Sequence, residues 1–199
     1  MTDAFLAMAT GLALSTAAGL NAYVPLLAAG IAAGTTDLIR LGPPFDRLEE
    51  PAVLAVVAAV GLVDFVGDKV PAVDHVLHAI GLVVAPVAGA VLALGVTSDE
   101  GVAPVIALVS GIVAAGATQG ARTALRPVST VGSGGVANPI LSLGEDGVSV
   151  TLSLTAIVVP LLALAIAVVV VVALVVAVRR VRTRLRGRTG GSPTSDGAR

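Results

Sequence analysis

Hydrophobic residues in this chain form long runs that are separated by short polar segments. The runs cover residues 4–33, 51–70, 79–96, 102–125 and 148–178. A helix needs about 20 residues to cross a hydrocarbon core of ~30 Å, and each run reaches or approaches that length. Residues 157–178 are apolar on every side, whereas membrane strands alternate apolar and polar positions. We therefore predict an all-α, polytopic helical membrane protein with about five transmembrane helices.

Two segments depart from a regular helical pattern. In "AAGLNAYVP" (17–25), Gly19, Asn21 and Pro25 favour a kink or a brief unwinding, so the first run is either one bent span or two half-helices. In "VSTVGSGGVANPILSLGEDG" (128–147), the glycines, Asn138 and Pro139 exclude a continuous helix, while the low charge argues against a free aqueous loop. We expect a re-entrant or cavity-lining segment there, before the last helix.

Composition and charge narrow the class further. The chain is 56% hydrophobic and 13% charged, with a mean hydropathy of +0.99, which excludes an ordinary soluble domain. It has no cysteine, so disulfides, thiol catalysis and cysteine-bound metal are excluded. The first ten residues contain Asp3 and no basic residue, unlike a signal peptide. We expect one transmembrane domain over residues 1–178.

A basic segment follows the last run directly. Because short basic flanks normally stay in the cytoplasm, we predict a cytoplasmic C-terminus, and five spans then place the N-terminus outside. Nucleic-acid binding is disfavoured, because only 2% of the residues are aromatic and a transmembrane helix lies immediately upstream. Residues 179–199 are predicted to form a basic and then disordered tail. The arginines are Arg179, Arg180, Arg182, Arg184, Arg186 and Arg188.

The stretch "VDFVGDKVPAVDHVLH" (63–78) concentrates ionisable residues in an apolar chain. A helix that starts at Pro51 reaches Asp64 after about 20 Å, so Asp64 lies inside the hydrocarbon core, with Asp68 and Lys69 near its edge. Asp64 and Asp68 share a helix face that suits a cation, a proton or a polar solute. The alternative is a solvated loop in which Lys69 pairs with an aspartate.

The next helix, which Pro71 starts, carries Asp74, His75 and His78. These residues are weak candidates for a metal site, because no established metal-binding spacing is present. The alternative, which we favour, is the solvated end of a hairpin. We expect no metal and no cofactor.

A second polar group lies towards the end of the fourth run. Gln119, Arg122 and Arg126 form one stripe, and arginine forks suit carboxylate or phosphate; an arginine that extends to lipid headgroups is the alternative. Glu145 and Asp146 are candidates for a transport site, particularly if they face Arg122 or Arg126. The alternative is a capping box in "SLGE" (142–145) at the start of the last helix.

Small residues also recur at the spacing used in membrane helix packing. Gly30 with Gly34, Gly11 with Ser15, and Gly111 with Ala115 predict a compact bundle or a homo-oligomer face. Membrane lipid is the other expected partner.

Three motifs resemble a family of small bacterial integral membrane proteins, the domain-of-unknown-function family 4126. They are "LSTAAGLNAYVPLL", "GDKVPAVDHV" and "ARTALRP…TVGSGGVANPILSLGED", and the resemblance covers roughly residues 8–165. It implies a plasma (inner) membrane protein of this size, with no activity to carry over. The family pattern has an acid at Asp64, an acid where His78 stands and a lysine where Arg122 stands. His78 departs from it.

Three functions fit these residues. The first is a transporter or channel for a small polar or ionic solute, and the second is binding or processing of lipid phosphate. The third is a structural or assembly role. An enzyme is disfavoured, because no histidine follows His78 to complete a phosphatase site. The candidate substrate- or ion-binding residues are Asn21, Asp64, Asp68, Lys69, Gln119, Arg122, Arg126, Asn138, Glu145 and Asp146.

Overall fold

A computed structural model describes residues 2–67, 71–133 and 138–189, without the side chains of residues 71–76, 78, 127–133 and 184–189. Every regular element in these ranges is helical, which confirms the predicted fold class. A short 3-10 helix, Phe45–Glu49, lies between the second and third α-helices. The α-helices are α1 Thr2–Leu20, α2 Tyr23–Thr35, α3 Pro51–Gly67, α4 Pro71–Thr97, α5 Pro104–Ser133, α6 Asn138–Val158 and α7 Pro160–Thr189.

Proline sets where many of these helices begin. Pro51, Pro71, Pro104 and Pro160 are each the first residue of a helix. The first turn of a helix has no intrahelical acceptor for its N–H groups, so the missing N–H of proline costs nothing there. Proline therefore marks the first residue of α3, α4, α5 and α7.

Helix α1 is the centre of the bundle, in contact with α4, α5, α6 and α7. Its buried face consists largely of alanine, glycine, serine and threonine, which allow close approach of the helix backbones. Ser15 Oγ lies 2.8 Å from the carbonyl oxygen of Gly89 in α4. Ser149 Oγ in α6 donates to the carbonyl oxygen of Ala17 over 3.0 Å. Side-chain hydroxyls thus fasten α1 to both neighbours.

The two ends of the bundle are distinct. At one end, which we call the Asn21 end, the α1–α2 break meets the final turns of α3 and the first turns of α6. At the other, the Asp3 end, the N-terminus of α1 meets the loop after α2 and the α6–α7 junction. Helices α6 and α7 form a hairpin that turns at Val159, whose N–H bonds back to Thr155 and whose carbonyl accepts from Ala163.

Among the described residues, five helices are long and apolar enough to cross a membrane: Thr2–Leu20, Ala79–Thr97, Pro104–Arg126, Asn138–Val158 and Pro160–Thr183. The predicted count agrees, but the set differs. The run from Pro51 ends at Gly67 as a shorter apolar helix, and the run 148–178 is divided between α6 and α7. Many large apolar side chains on the outer faces are exposed, as expected of helices that face lipid.

The first run is two helices rather than one bent span, because Asn21 and Ala22 separate α1 from α2. Residues 138–147, predicted to be re-entrant, belong to α6. The helix α7 continues to Thr189, so the basic segment is helical up to that residue.

The small-residue motifs lie at contacts inside the chain. A Cβ on Gly30 would be 2.5 Å from the carbonyl oxygen of Leu48, and one on Gly11 would be 3.2 Å from Cα of Ala93. A Cβ on Gly89 would be 2.6 Å from the carbonyl oxygen of Gly111. These motifs therefore pack the bundle itself, as predicted, and a homo-oligomer stays a prediction.

Candidate functional site

The α1–α2 break is organised by the side chain of Asn21. Its Oδ1 accepts from the backbone N–H of Tyr23 over 3.0 Å and from that of Val24 over 3.2 Å. These donors belong to the first turn of α2 and have no partner inside that helix, so Asn21 acts as a helix cap. The break is thus a defined junction between two helices.

Helix α6 completes this junction. Asn21 Nδ2 donates to Asp146 Oδ1 over 2.8 Å. One turn further along α6, Ser149 Oγ lies 3.5 Å from the carbonyl oxygen of Asn21. A single side chain therefore caps α2 and holds a carboxylate of α6 at the break.

A polar cavity opens beside the break. It has a volume of about 30 Å³, enough for about two waters, since one needs ~10–15 Å³. Helices α3, α4 and α5 provide the facing wall, in which Gly81 leaves space for Gln119. The polar side chains that line the cavity are those of Asn21, Tyr23, Asp64, Gln119, Arg122 and Asp146.

Two arginines and one carboxylate form an ionic cluster next to this cavity. Arg122 Nη2 donates to Glu145 Oε2 over 2.6 Å, and Arg126 Nη2 donates to the same oxygen over 3.2 Å. Arg122 Nη1 donates to Gln119 Oε1 over 3.0 Å and lies 3.5 Å from the carbonyl oxygen of Gly19. The arginine therefore links α5 to both α6 and the end of α1.

The capping-box interpretation of "SLGE" is wrong, because α6 starts four residues earlier, at Asn138. Ser142 is fully buried within the helix, and Glu145 faces the two arginines. A role of Glu145 in a transport site was expected particularly if it faces Arg122 or Arg126, and it faces both.

The ionic cluster belongs to α5 and α6, two of the helices that are long and apolar enough to cross a membrane. Glu145 is about 20 Å along α6 from Val158, at ~1.5 Å per residue. Ala173 of α7 lines the same space as Glu145 and precedes Arg179 by about 9 Å of helix. An isolated charge at the centre of a helix costs about 2.5 kcal/mol or more to insert, so mutual pairing is what makes this arrangement stable.

On its other side, the ionic cluster borders a larger apolar cavity between α5, α6 and α7. This cavity, here named the α5–α7 cavity, has a volume of about 440 Å³. Arg122 and Leu20 line both it and the polar cavity. Arg122 thus stands between a polar chamber and an apolar one.

A further polar cavity, of about 370 Å³, lies at the Asp3 end. Its charged lining residues are Asp3, Asp37, Arg40 and Glu100. Between the two polar cavities, α1 presents side chains that are fully buried, among them Ala13, Leu14 and Ala17. Chambers at opposite ends of α1 are therefore separated by its packed middle.

Most of the predicted site residues converge at the Asn21 end. Five of them line the polar cavity (Asn21, Asp64, Gln119, Arg122, Asp146), and Arg126 and Glu145 lie beside it. Asn138 is the first residue of α6 and lines none of the three cavities described above. Asp68 and Lys69, and the side chains of Asp74, His75 and His78, lie outside the described residues.

Sequence reasoning missed Tyr23 and Ser149. Tyr23 follows Asn21 directly, and its place beside a predicted helix break was the available signal. Ser149 lies in an apolar run with several serines and threonines, so nothing in the sequence distinguished it. Among the described side chains, no group of three or more histidines or carboxylates could hold a metal ion.

The fold and the site define a polytopic helical membrane protein with a paired charge cluster on two of its candidate membrane-spanning helices. A family model described as "Domain of unknown function (DUF4126)" matches residues 8–180, and the chain belongs to that family. No curated protein and no solved structure matches the chain.

Proposed function

We propose that the protein moves a small polar or ionic solute across a membrane, and that the polar cavity beside the α1–α2 break binds this solute. One observation carries the proposal: Asp64, Asp146 and Arg122 line a cavity at the α1–α2 break, and two of them belong to helices that are long and apolar enough to cross a membrane. Ionisable groups within membrane-spanning helices are costly, and they characteristically mark solute or proton pathways. Broken helices are likewise the usual sites of substrate and ion binding in transporters.

The size of the cavity limits the solute. Space for about two waters suits a proton, a dehydrated ion or a very small polar molecule. Two carboxylates and one guanidinium line it, so it offers partners to either sign of charge. The nature of the solute is therefore left to the assay.

The second polar cavity, at the Asp3 end, supports the same proposal. Passage between the two chambers requires α1 to separate transiently from α4 and α6. The contacts exchanged in that movement would include the Ser15 bond to Gly89 and the Ser149 bond to Ala17. Both are hydroxyl-to-carbonyl bonds, which in membranes average only ~0.6 kcal/mol. Such bonds are weak enough to break in a transport cycle.

The test is uptake into proteoliposomes. Sodium, rubidium and chloride uptake are followed with radioactive tracers, and proton uptake with an enclosed pH-sensitive dye. We expect uptake of at least one solute above the level of protein-free liposomes. Asp146→Asn should reduce that uptake about tenfold, since it removes the charge but leaves a carbonyl oxygen to accept from Asn21.

Asp46→Asn is the matched control, because Asp46 is exposed in the 3-10 helix, away from the cavity. Its uptake should equal that of the wild-type protein. Wild-type uptake no greater than that of protein-free liposomes for every solute would count against transport. It would favour the structural or assembly role.

A further inference from the structure

The α5–α7 cavity has the size and lining of a ligand site. Its volume of about 440 Å³ falls within the ~300–1,000 Å³ that is typical of small-molecule sites. From Val148 to Ile140 it follows α6 for about 12 Å, at ~1.5 Å per residue. The apolar wall consists of Leu20, Leu125, Ile140, Leu141, Val148, Val170, Ala173 and Leu174.

The charged residues in the described lining of this cavity are Arg122, Arg126 and Glu145. Arg122 and Arg126 are only 7% and 8% exposed, and both donate to a single carboxylate oxygen of Glu145. Among the described residues, the Nε atom of Arg122 is buried and has no hydrogen-bond acceptor. A buried guanidinium donor without an acceptor is costly in an apolar environment. A further acceptor beside this nitrogen would remove that cost.

We propose that the α5–α7 cavity binds an anionic phospholipid, with its phosphate on Arg122 and Arg126 and part of one acyl chain along the apolar wall. Guanidinium forks match phosphate oxygens in pairs, which explains why two buried arginines are suited to this headgroup. The cavity is lined by α7, many of whose large side chains are exposed on its lipid-facing side. A lipid can thus enter from the bilayer.

This ligand site and the proposed transport site share Arg122 and Leu20, and their other lining residues differ. In the lipid-bound state, the phosphate replaces Glu145 as the acceptor for one or both arginines. Glu145 therefore competes with the lipid for the same donors.

The experiment measures lipid retention by the full chain. Purified protein in detergent is incubated with equal amounts of dioleoyl phosphatidylglycerol and dioleoyl phosphatidylcholine and then passed over a gel-filtration column. Mass spectrometry quantifies the lipid that remains bound. We expect about tenfold more retained phosphatidylglycerol than phosphatidylcholine. Millimolar inorganic phosphate should not displace it, because the free ion lacks the acyl chain.

Gly144→Phe tests the apolar part of the site. Gly144 lines the cavity, and a Cβ placed on it meets nothing within 4 Å, so the new ring fits into the space without disturbing the helix. We expect phosphatidylglycerol retention to fall about tenfold. Gly147→Phe is the matched control, since Gly147 also has open space around it, lies on the same helix and does not line the cavity.

Glu145→Gln tests the charged part and separates binding from a purely structural role. Loss of the competing carboxylate should raise phosphatidylglycerol retention, whereas Arg126→Gln should lower it. Equal retention of the two lipids, displacement by inorganic phosphate, or unchanged retention in Gly144→Phe would overturn the proposal. None of these results depends on solute uptake, so the transport proposal and the lipid proposal fail independently.

Discussion

Asn21 performs two tasks at the α1–α2 break, and substitution can separate them. Its side-chain oxygen caps α2, and its side-chain nitrogen donates to Asp146 of α6. Loss of an asparagine cap costs ~1 kcal/mol in typical hosts. An interhelical hydrogen bond in a membrane protein contributes ~0.6 kcal/mol on average and up to ~1.7 kcal/mol. Asn21→Ala should therefore lower the free energy of unfolding by about 2 kcal/mol.

The informative variant is Asn21→Asp. The carboxylate retains the oxygen that caps α2, but it replaces a donor with a negative charge beside Asp146. We expect Asn21→Asp to be at least as destabilised as Asn21→Ala, even though the cap is preserved. A double variant that combines Asn21→Asp with Asp146→Asn exchanges the two side chains. The amide at position 146 can then donate to the carboxylate at position 21, so the contact again has one donor and one acceptor. The double variant should recover about 1–2 kcal/mol relative to the sum of the single changes.

The assay is equilibrium unfolding of purified protein in mixed micelles with increasing sodium dodecyl sulfate, followed by circular dichroism. The wild-type protein, the three single variants (Asn21→Ala, Asn21→Asp and Asp146→Asn) and the double variant are compared at the same detergent composition. The reasoning is refuted if Asn21→Asp unfolds like the wild-type protein. It is also refuted if the double variant is no more stable than the sum of its parts, since the contact between α1 and α6 would then carry no energy.

Two further predictions concern packing and charge, and both use the same unfolding assay. Gly89→Ala should lower the free energy of unfolding by about 1–3 kcal/mol, because its Cβ would lie 2.6 Å from the carbonyl oxygen of Gly111. In the control variant Gly120→Ala the Cβ meets nothing within 4 Å, so the free energy of unfolding should stay the same or rise. Equal effects of the two would contradict the α4–α5 contact. Arg122→Lys keeps the positive charge but loses the guanidinium group that donates to both α1 and α6. We expect the free energy of unfolding to fall by about 1.5–3 kcal/mol. Arg179→Lys, at an exposed position, should leave it unchanged.

The break at Asn21 was predictable from sequence, and its detailed form was not. Gly19, Asn21 and Pro25 in one apolar run indicate a break because each disfavours a regular helix there. The side chain that Asn21 meets at the break is that of Asp146, which lies 125 positions away in the chain. A local sequence pattern does not indicate a contact between residues so far apart in the chain.

The division of the last apolar run shows a different limit. Residues 148–178 would span about 45 Å as one helix, more than a ~30 Å hydrocarbon core, so the length was a signal for two helices. Pro160 marks the division, but Pro86 lies inside α4 without ending it. Proline alone therefore does not decide the outcome; the packing of Ala163 and Ala167 in the shared core with α1 is what stabilises the hairpin.

The charged residues of the site were identifiable because ionisable groups are rare in so apolar a chain. Their pairing was not. Glu145 was equally compatible with a helix cap and with an arginine partner, and the choice rests on where α6 begins. Since α6 begins at Asn138, Glu145 is in the helix interior, where it faces Arg122.

Binding of a solute in the polar cavity beside the α1–α2 break requires that water reaches this cavity from one side of the membrane. The chain has no cysteine, so in a single-cysteine variant the introduced residue is the only thiol of the protein that can react with the reagent. Ala22 lines the cavity, whereas Ala88 is a core residue that lines none of the three cavities described above. Reaction of each single-cysteine variant with a charged, membrane-impermeant methanethiosulfonate is followed in sealed vesicles of both orientations.

A cysteine placed at Ser195 in the C-terminal tail reports which side of the membrane is exposed to the reagent. We predict that Ala22→Cys reacts from the same side as Ser195→Cys, and that Ala88→Cys reacts from neither. An Ala22→Cys protein that is as unreactive as Ala88→Cys from both sides would contradict the account.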